Sequence, residues 1–69
     1  MRLSARNQLP GAVVEVNPGT VTTTVKVELQ GGATMTSSIT KEAADELGLK
    51  PGTPVTVVVK ASDVILAVD

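Results

Sequence analysis

The sequence contains no cysteine, no histidine and no aromatic residue among its 69 positions. Without cysteine there is no disulfide, no thiolate zinc site and no cysteine nucleophile. Without histidine, the commonest general base and the commonest metal ligand are both missing. Without Phe, Tyr or Trp, no side chain offers the ring on which single-stranded nucleic acids and many flat cofactors stack.

Charged residues are also few. Six are basic and seven are acidic, which leaves a net charge of -1. Such a balance gives no general attraction for nucleic acid or for an anionic membrane. No apolar run, including Val57 to Val59 and Val64 to Val68, is long enough to span a bilayer, and no signal-peptide pattern is present. We therefore expect a cytoplasmic protein with no nucleic-acid partner and no membrane partner.

The length allows a single domain over residues 1–69. A chain of this size buries only roughly 60% of the surface that its unfolded form exposes, so small domains usually rely on disulfides, a metal or oligomerisation. The composition excludes disulfides and disfavours a metal. The sequence therefore predicts a homo-oligomer.

Valine and threonine dominate and alternate with a period of two, which is typical of β-strands. Turn residues separate the alternating segments, and the period changes only where Thr40 can cap a short helix that Gly48 can end. We predict an all-β fold, a small five-stranded OB-like Greek-key barrel with one short α-helix at about 40–48. The predicted strands are residues 8–16, 20–29, 33–39, 55–60 and 64–68.

The last two predicted strands are apolar on both faces, and such strands need a second layer to cover them. A partner subunit is the simplest cover in so small a chain. The alternative is an ordinary core strand that the chain itself covers on both sides.

Enzymatic chemistry has little support in the sequence. Asp45 and Glu46 are adjacent and would not face each other on a helix, and no histidine can activate a serine. The pair Gly31-Gly32 indicates a turn rather than a phosphate cradle. We therefore predict no catalytic residues.

Three segments carry groups that donate hydrogen bonds to an oxyanion: Ser4 to Asn7, Lys60 to Ser62, and Thr40. They combine hydroxyl, guanidinium, ammonium and backbone N–H donors. Each also has a purely structural interpretation. Arg6 and Lys60 can be solvated surface charges, and Thr40 can simply cap its helix.

Almost the whole chain resembles the molbindins, the stand-alone Mop (TOBE-like) domains of molybdate-binding proteins. The resemblance rests on four motifs, of which the first and last together are the most specific. They are Ser4-Ala5-Arg6-Asn7-Gln8-Leu9 with Gly11, Ser38-Ile39-Thr40, Leu47-Gly48-Leu49 with Gly52, and Lys60-Ala61-Ser62-Asp63-Val64.

The resemblance implies an OB-like barrel that assembles as a hexamer, a trimer of dimers, and binds molybdate or tungstate between subunits. The metal would arrive as an intact oxyanion, with no direct metal ligation by the protein. The position of Ala43 often carries a hydroxyl in relatives, so one oxyanion contact is missing here. The implied site residues are Ser4, Ala5, Arg6, Thr40, Lys60, Ala61 and Ser62, with a possible second site at Gly19, Thr20, Val21 and Thr22.

The resulting hypothesis is a cytoplasmic protein that stores or buffers molybdate without transforming it. One alternative is a molybdate-sensing module that acts on a transporter or a transcription factor. A chain that starts with methionine and has no linker favours the stand-alone role over this alternative. The other alternative, an OB-type nucleic-acid binder, is disfavoured by the missing aromatic residues and the missing basic patch.

Overall fold

Four antiparallel strands form one curled sheet in the computed structural model, which describes residues 1–69. The strand order is β3-β2-β1-β4, so β3 and β4 are the two edges. Both edges line a single apolar cavity over the middle strands, which shows that the sheet curls into a half-barrel. The elements are β1 (Asn7–Pro18), β2 (Thr22–Leu29), β3 (Thr34–Thr40), α1 (Lys41–Leu47), β4 (Pro54–Val59) and a 3-10 turn (Ala61–Asp63).

The long strand β1 connects the two parts of the sheet, because its first half pairs with β4 and its second half with β2. The register with β2 shifts between Val13 and Glu15, where Val14 is the extra residue of a β-bulge. A bulge bends its strand and changes which side chains face inwards. Val13 and Val16 therefore both lie on the core side, although their spacing is odd.

The close approach of β1 and β2 depends on Gly11. A Cβ atom at this position would lie 2.6 Å from the carbonyl oxygen of Glu28 and 2.9 Å from a methyl group of Val27. Only a residue without a side chain fits there.

The core is small, since only five of the 69 residues are buried. Val13, Val25 and Val27 form its centre. Ala44, in α1, is the one buried residue of the helix. The alternation predicted for β2 is confirmed, because Thr23, Val25 and Val27 point inwards together. The whole chain exposes 5359 Å². A folded monomer of 7.0 kDa is expected to expose about 4,000 Å².

The predicted helix is confirmed with its two ends. Ala43 N–H donates a hydrogen bond of 3.0 Å to Thr40 Oγ1, as expected for an N-cap. Gly48 adopts the left-handed conformation at φ 63° and donates to the carbonyls of Ala44 and Asp45. The helix has seven residues, and its last residue, Leu47, lines the apolar cavity of the half-barrel. The chain contains no helix with the length and hydrophobicity needed to cross a lipid bilayer.

The prediction of a fifth strand over residues 64–68 is wrong for the single chain. After the 3-10 turn, residues 64–69 form no regular structure and pair with no strand. Ile65, Leu66 and Val68 are 92%, 87% and 97% exposed. The apolar pattern signals that these residues need cover, but it does not specify which chain provides the cover. The structure is thus a four-stranded, open version of the predicted barrel.

One buried polar atom generates a prediction about stability. Thr23 Oγ1 is buried and has no hydrogen-bond partner. Leaving a buried hydroxyl unpaired costs roughly 1–3 kcal/mol, whereas valine has nearly the same shape without the polar atom. We expect Thr23→Val to raise the free energy of unfolding by up to about 1 kcal/mol in denaturant titrations at fixed protein concentration.

The matched control for this experiment is Thr24→Val, on the opposite face of the same strand. This change should alter stability by less than about 0.5 kcal/mol. A clear loss of stability in Thr23→Val alone would show that the hydroxyl has a partner in solution.

Candidate functional site

The first predicted donor segment lies directly beside the last one. Asn7 in β1 pairs with Val59 in β4, and the residues that follow outwards on each strand are Arg6 and Lys60. The pairing of β1 with β4 therefore brings two segments that are more than 50 positions apart in sequence to one end of the sheet. This end is called the donor edge here, and it comprises Ser4, Ala5, Arg6, Lys60, Ala61 and Ser62.

A side-chain hydrogen bond connects the two halves of the donor edge. Asn7 Nδ2 donates to the carbonyl oxygen of Val59 at 3.2 Å and is partly buried. Every other side-chain hydrogen bond in the structure joins residues at most four positions apart. Asn7 belongs to the motif Ser4 to Leu9 but is not one of the predicted site residues. The sequence carried no signal for this contact, because it depends on the register of β1 against β4.

The positive charges of the donor edge are not neutralised by carboxylates. The structure has two salt bridges, Lys26 to Glu15 and Lys41 to Asp45, and neither involves Arg6 or Lys60. Both of these cations are exposed. The acidic residue nearest to the donor edge in sequence is Asp63, which follows Ser62. Its backbone N–H donates to the carbonyl oxygen of Lys60 at 2.9 Å within the 3-10 turn. The donor edge can therefore offer charge and hydrogen bonds to an anion.

Thr40 does not lie at the donor edge. It pairs with Thr22 at the other end of the sheet, where Pro18 ends β1. The two ends are separated by the full 12 residues of β1. At about 3.3 Å per residue this separation is on the order of 30 Å, even with bending. Thr40 therefore does not lie near Arg6 and Lys60 within one chain.

The four residues predicted as a second site form the turn between β1 and β2, close to Thr40. Gly19 N–H donates to the carbonyl oxygen of Thr22 at 2.8 Å, and Lys41 N–H donates to that of Val21 at 2.8 Å. The turn is exposed, with Val21 at 71%. Its hydroxyls and that of Thr40 make up a second group of donors. The members of this second group are Gly19, Thr20, Val21, Thr22 and Thr40.

The donor set differs from a site for a bare metal cation. Nowhere in the structure do three or more Asp, Glu, His or Cys side chains gather in a suitable arrangement. The groups present are N–H and O–H donors, and these suit the oxygen atoms of an anion.

Comparison with known proteins identifies the family. The TOBE domain profile matches residues 3–66. This chain belongs to the Mop group of TOBE-domain proteins. Molybdenum-pterin-binding protein 3 of Clostridium pasteurianum is 47% identical over 66 residues, which are 96% of this chain and 97% of that protein.

A solved structure of ModG, a cytoplasmic molybdate-binding protein with molybdate bound, superposes on this Mop chain with a TM-score of 0.96 at 54% identity. The match covers 100% of this chain, including residues 64–69, and 49% of the ModG chain. The molybdenum transport protein ModE of Herbaspirillum seropedicae is 48% identical over 66 residues, which are 24% of its length. The likeness to ModG supports the half-barrel and the course of the C-terminal residues.

The hydrogen bond of Asn7 generates a prediction about local stability. We expect Asn7→Ala to accelerate amide hydrogen exchange at Asp63, whose N–H donates to the carbonyl oxygen of Lys60, because the two strand ends lose their connection. The loss in global stability should be about 1 kcal/mol or less, as for a typical hydrogen bond.

Asn17→Ala is the matched control, because Asn17 lies near the opposite end of β1 and bonds only to the nearby Glu15. This change should leave exchange at Asp63 unaltered. Equal exchange rates in Asn7→Ala and the unmodified protein would contradict a connecting role for Asn7.

Proposed function

We propose that this protein binds molybdate as an intact oxyanion and stores or buffers it in the cytoplasm without transforming it. Tungstate, a tetrahedral dianion with the same oxygen acceptors, is proposed as a second ligand. The observation that carries the proposal is the pair Arg6 and Lys60, which adjoin the paired ends of β1 and β4 and have no carboxylate partner. The relationship to molybdenum-pterin-binding proteins and to ModG supports this choice of anion.

The chemistry of the anion agrees with the donors. At neutral pH molybdate only accepts hydrogen bonds, so its site needs N–H and O–H groups and charge. Phosphate retains a proton near neutral pH, and a site made only of donors leaves that proton without an acceptor. Sulfate has the same acceptor pattern as molybdate and must be distinguished by the size of the site.

We propose further that the site is completed between copies of the chain in a homo-oligomer, a hexamer built as a trimer of dimers. The structure separates Thr40 from Arg6 and Lys60 along the length of β1, so one anion contacts all of them only if two chains contribute. The chain also exposes roughly 1,300 Å² more than a folded monomer of its mass is expected to expose. This excess is of the size that one partner buries in a stable interface.

A second candidate function is a molybdate sensor that acts on a transporter or a transcription factor. The observation that favours it is the match to ModE, in which a segment like this chain makes up 24% of the length. Recovery of such a protein by the tagged chain, with recovery dependent on molybdate, would support sensing over storage.

Calorimetry with the charge-removing variant Lys60→Gln tests the proposed function. A hydrogen bond between charged groups contributes about 1.5–3 kcal/mol, so we expect the affinity for molybdate to fall about 10- to 100-fold. Lys50→Gln removes an exposed lysine outside the donor edge and should retain the affinity of the unmodified protein. Unchanged affinity in Lys60→Gln would refute the assignment of Lys60.

Two substitutions separate the structural role of Thr40 from binding. Aspartate is an equally good N-cap, so Thr40→Asp should preserve the helix while it places a carboxylate where the anion is proposed to bind. We expect this variant to fold normally by circular dichroism and to bind molybdate at least tenfold more weakly. Thr40→Ser should keep both properties. Normal binding by Thr40→Asp would show that Thr40 serves only as a cap.

A further inference from the structure

Two consecutive side-chain amides bind backbone carbonyl oxygens in the two halves of the donor edge. Asn7 Nδ2 donates to the carbonyl oxygen of Val59, the residue before Lys60, at 3.2 Å. Gln8 Nε2 donates to the carbonyl oxygen of Ala5, also at 3.2 Å. Neighbouring residues of a strand point to opposite faces of the sheet. The two amides therefore hold the two donor segments from opposite sides.

The 3-10 turn occupies two further carbonyl oxygens in the same way. The carbonyl of Lys60 accepts from Asp63 N–H at 2.9 Å, and that of Ala61 accepts from Val64 N–H at 3.2 Å. With the side-chain bond to Val59, these bonds fix three successive peptide groups. The C=O and N–H of a trans peptide group point in opposite directions. The oxygens are thus held inside the chain, and the N–H groups of the same peptides point the other way.

The occupied oxygens are the groups that a protonated anion would use. Molybdate, tungstate and sulfate carry no proton at neutral pH, so they only accept hydrogen bonds. Phosphate retains a proton, and binding it without loss requires an acceptor beside the site. A carbonyl oxygen has two lone pairs, and each internal hydrogen bond at the donor edge uses one of them.

We propose that Asn7 and Gln8 determine the specificity of the anion site by occupying the carbonyl oxygens of Val59 and Ala5. Loss of either amide frees a lone pair, which can then accept the proton of a protonated anion. The bond of Asn7 is partly buried and that of Gln8 is exposed, so Asn7 has the larger effect. The inference rests on the proposed function and adds the means by which the site rejects protonated anions.

Asn7→Leu tests the inference, because leucine has nearly the shape of asparagine but no group that donates a hydrogen bond. The full chain is titrated by calorimetry with molybdate, sulfate and phosphate at pH 7 in a buffer free of these anions. We expect the ratio of the affinities for molybdate and phosphate to fall about three- to tenfold, the equivalent of one recovered hydrogen bond. The ratio for molybdate and sulfate should change by less than about twofold, because neither anion has a proton to donate.

The sulfate titration distinguishes a role in specificity from a purely structural one. If Asn7 only holds the strand ends together, its loss loosens the site. Discrimination by size would then weaken, and the ratio for molybdate and sulfate would fall together with that for molybdate and phosphate. Equal falls in both ratios would overturn the inference. An unchanged ratio for molybdate and phosphate would overturn it too, and so would a variant that still binds no phosphate.

Two matched variants remove other side-chain amides while keeping the length of the side chain. Gln8→Met should lower the ratio for molybdate and phosphate by less than Asn7→Leu does. Gln30→Met is the control, because Gln30 is exposed, lies outside the donor edge and makes no side-chain hydrogen bond. It should leave both ratios unchanged. A fall in Gln30→Met as large as that in Asn7→Leu would contradict a specific role for Asn7.

The same titrations separate failure of this inference from failure of the proposed function. Unmodified protein that binds no molybdate would overturn both. Molybdate binding with unchanged ratios in the variants would overturn only the inference. Circular dichroism verifies that each variant is folded. Asn7→Ala, which lacks the amide without adding apolar bulk, replaces Asn7→Leu in the titrations if leucine disturbs the fold, with the same expected ratios.

Discussion

The shortage of apolar material within one chain is the constraint on which the rest of the structure depends. Five buried residues, with three valines at their centre, form the core of a 69-residue chain that has no aromatic side chain. Such a core offsets little of the conformational entropy lost on folding. The exposed residues 64–69 and the apolar cavity between β3 and β4 are two signs of the same small core, and the proposed contact with further copies would cover both.

The same constraint shapes the proposed binding chemistry. The donor edge and the second group of donors lie at opposite ends of the sheet, so in the proposed function each supplies only part of the site for a tetrahedral anion. Donors at exposed strand ends bind weakly while water competes for them, and a seam between subunits removes that water and orients the groups. Binding at such seams would make the storage capacity depend on assembly.

The local structure was largely predictable from sequence, because its causes are local. The period-two pattern of β2, the cap at Thr40 and the left-handed Gly48 follow from neighbouring residues alone. The bulge at Val14 and the hydrogen bond of Asn7 were not predictable, since they depend on strand register. The fifth strand was predicted incorrectly for a single chain. The apolar pattern of residues 64–68 indicates that these residues favour burial, but it does not indicate which surface covers them. The family motifs indicated the donor residues, but only the strand register showed that Thr40 lies far from Lys60.

Native mass spectrometry with and without molybdate tests the central claim most directly, because it reports the number of chains and the number of bound anions in the same particle. The account predicts a homo-oligomer, with six copies as the expected number, and anions retained only on the assembled species. A folded monomer of 7.0 kDa that carries molybdate by itself would contradict the account.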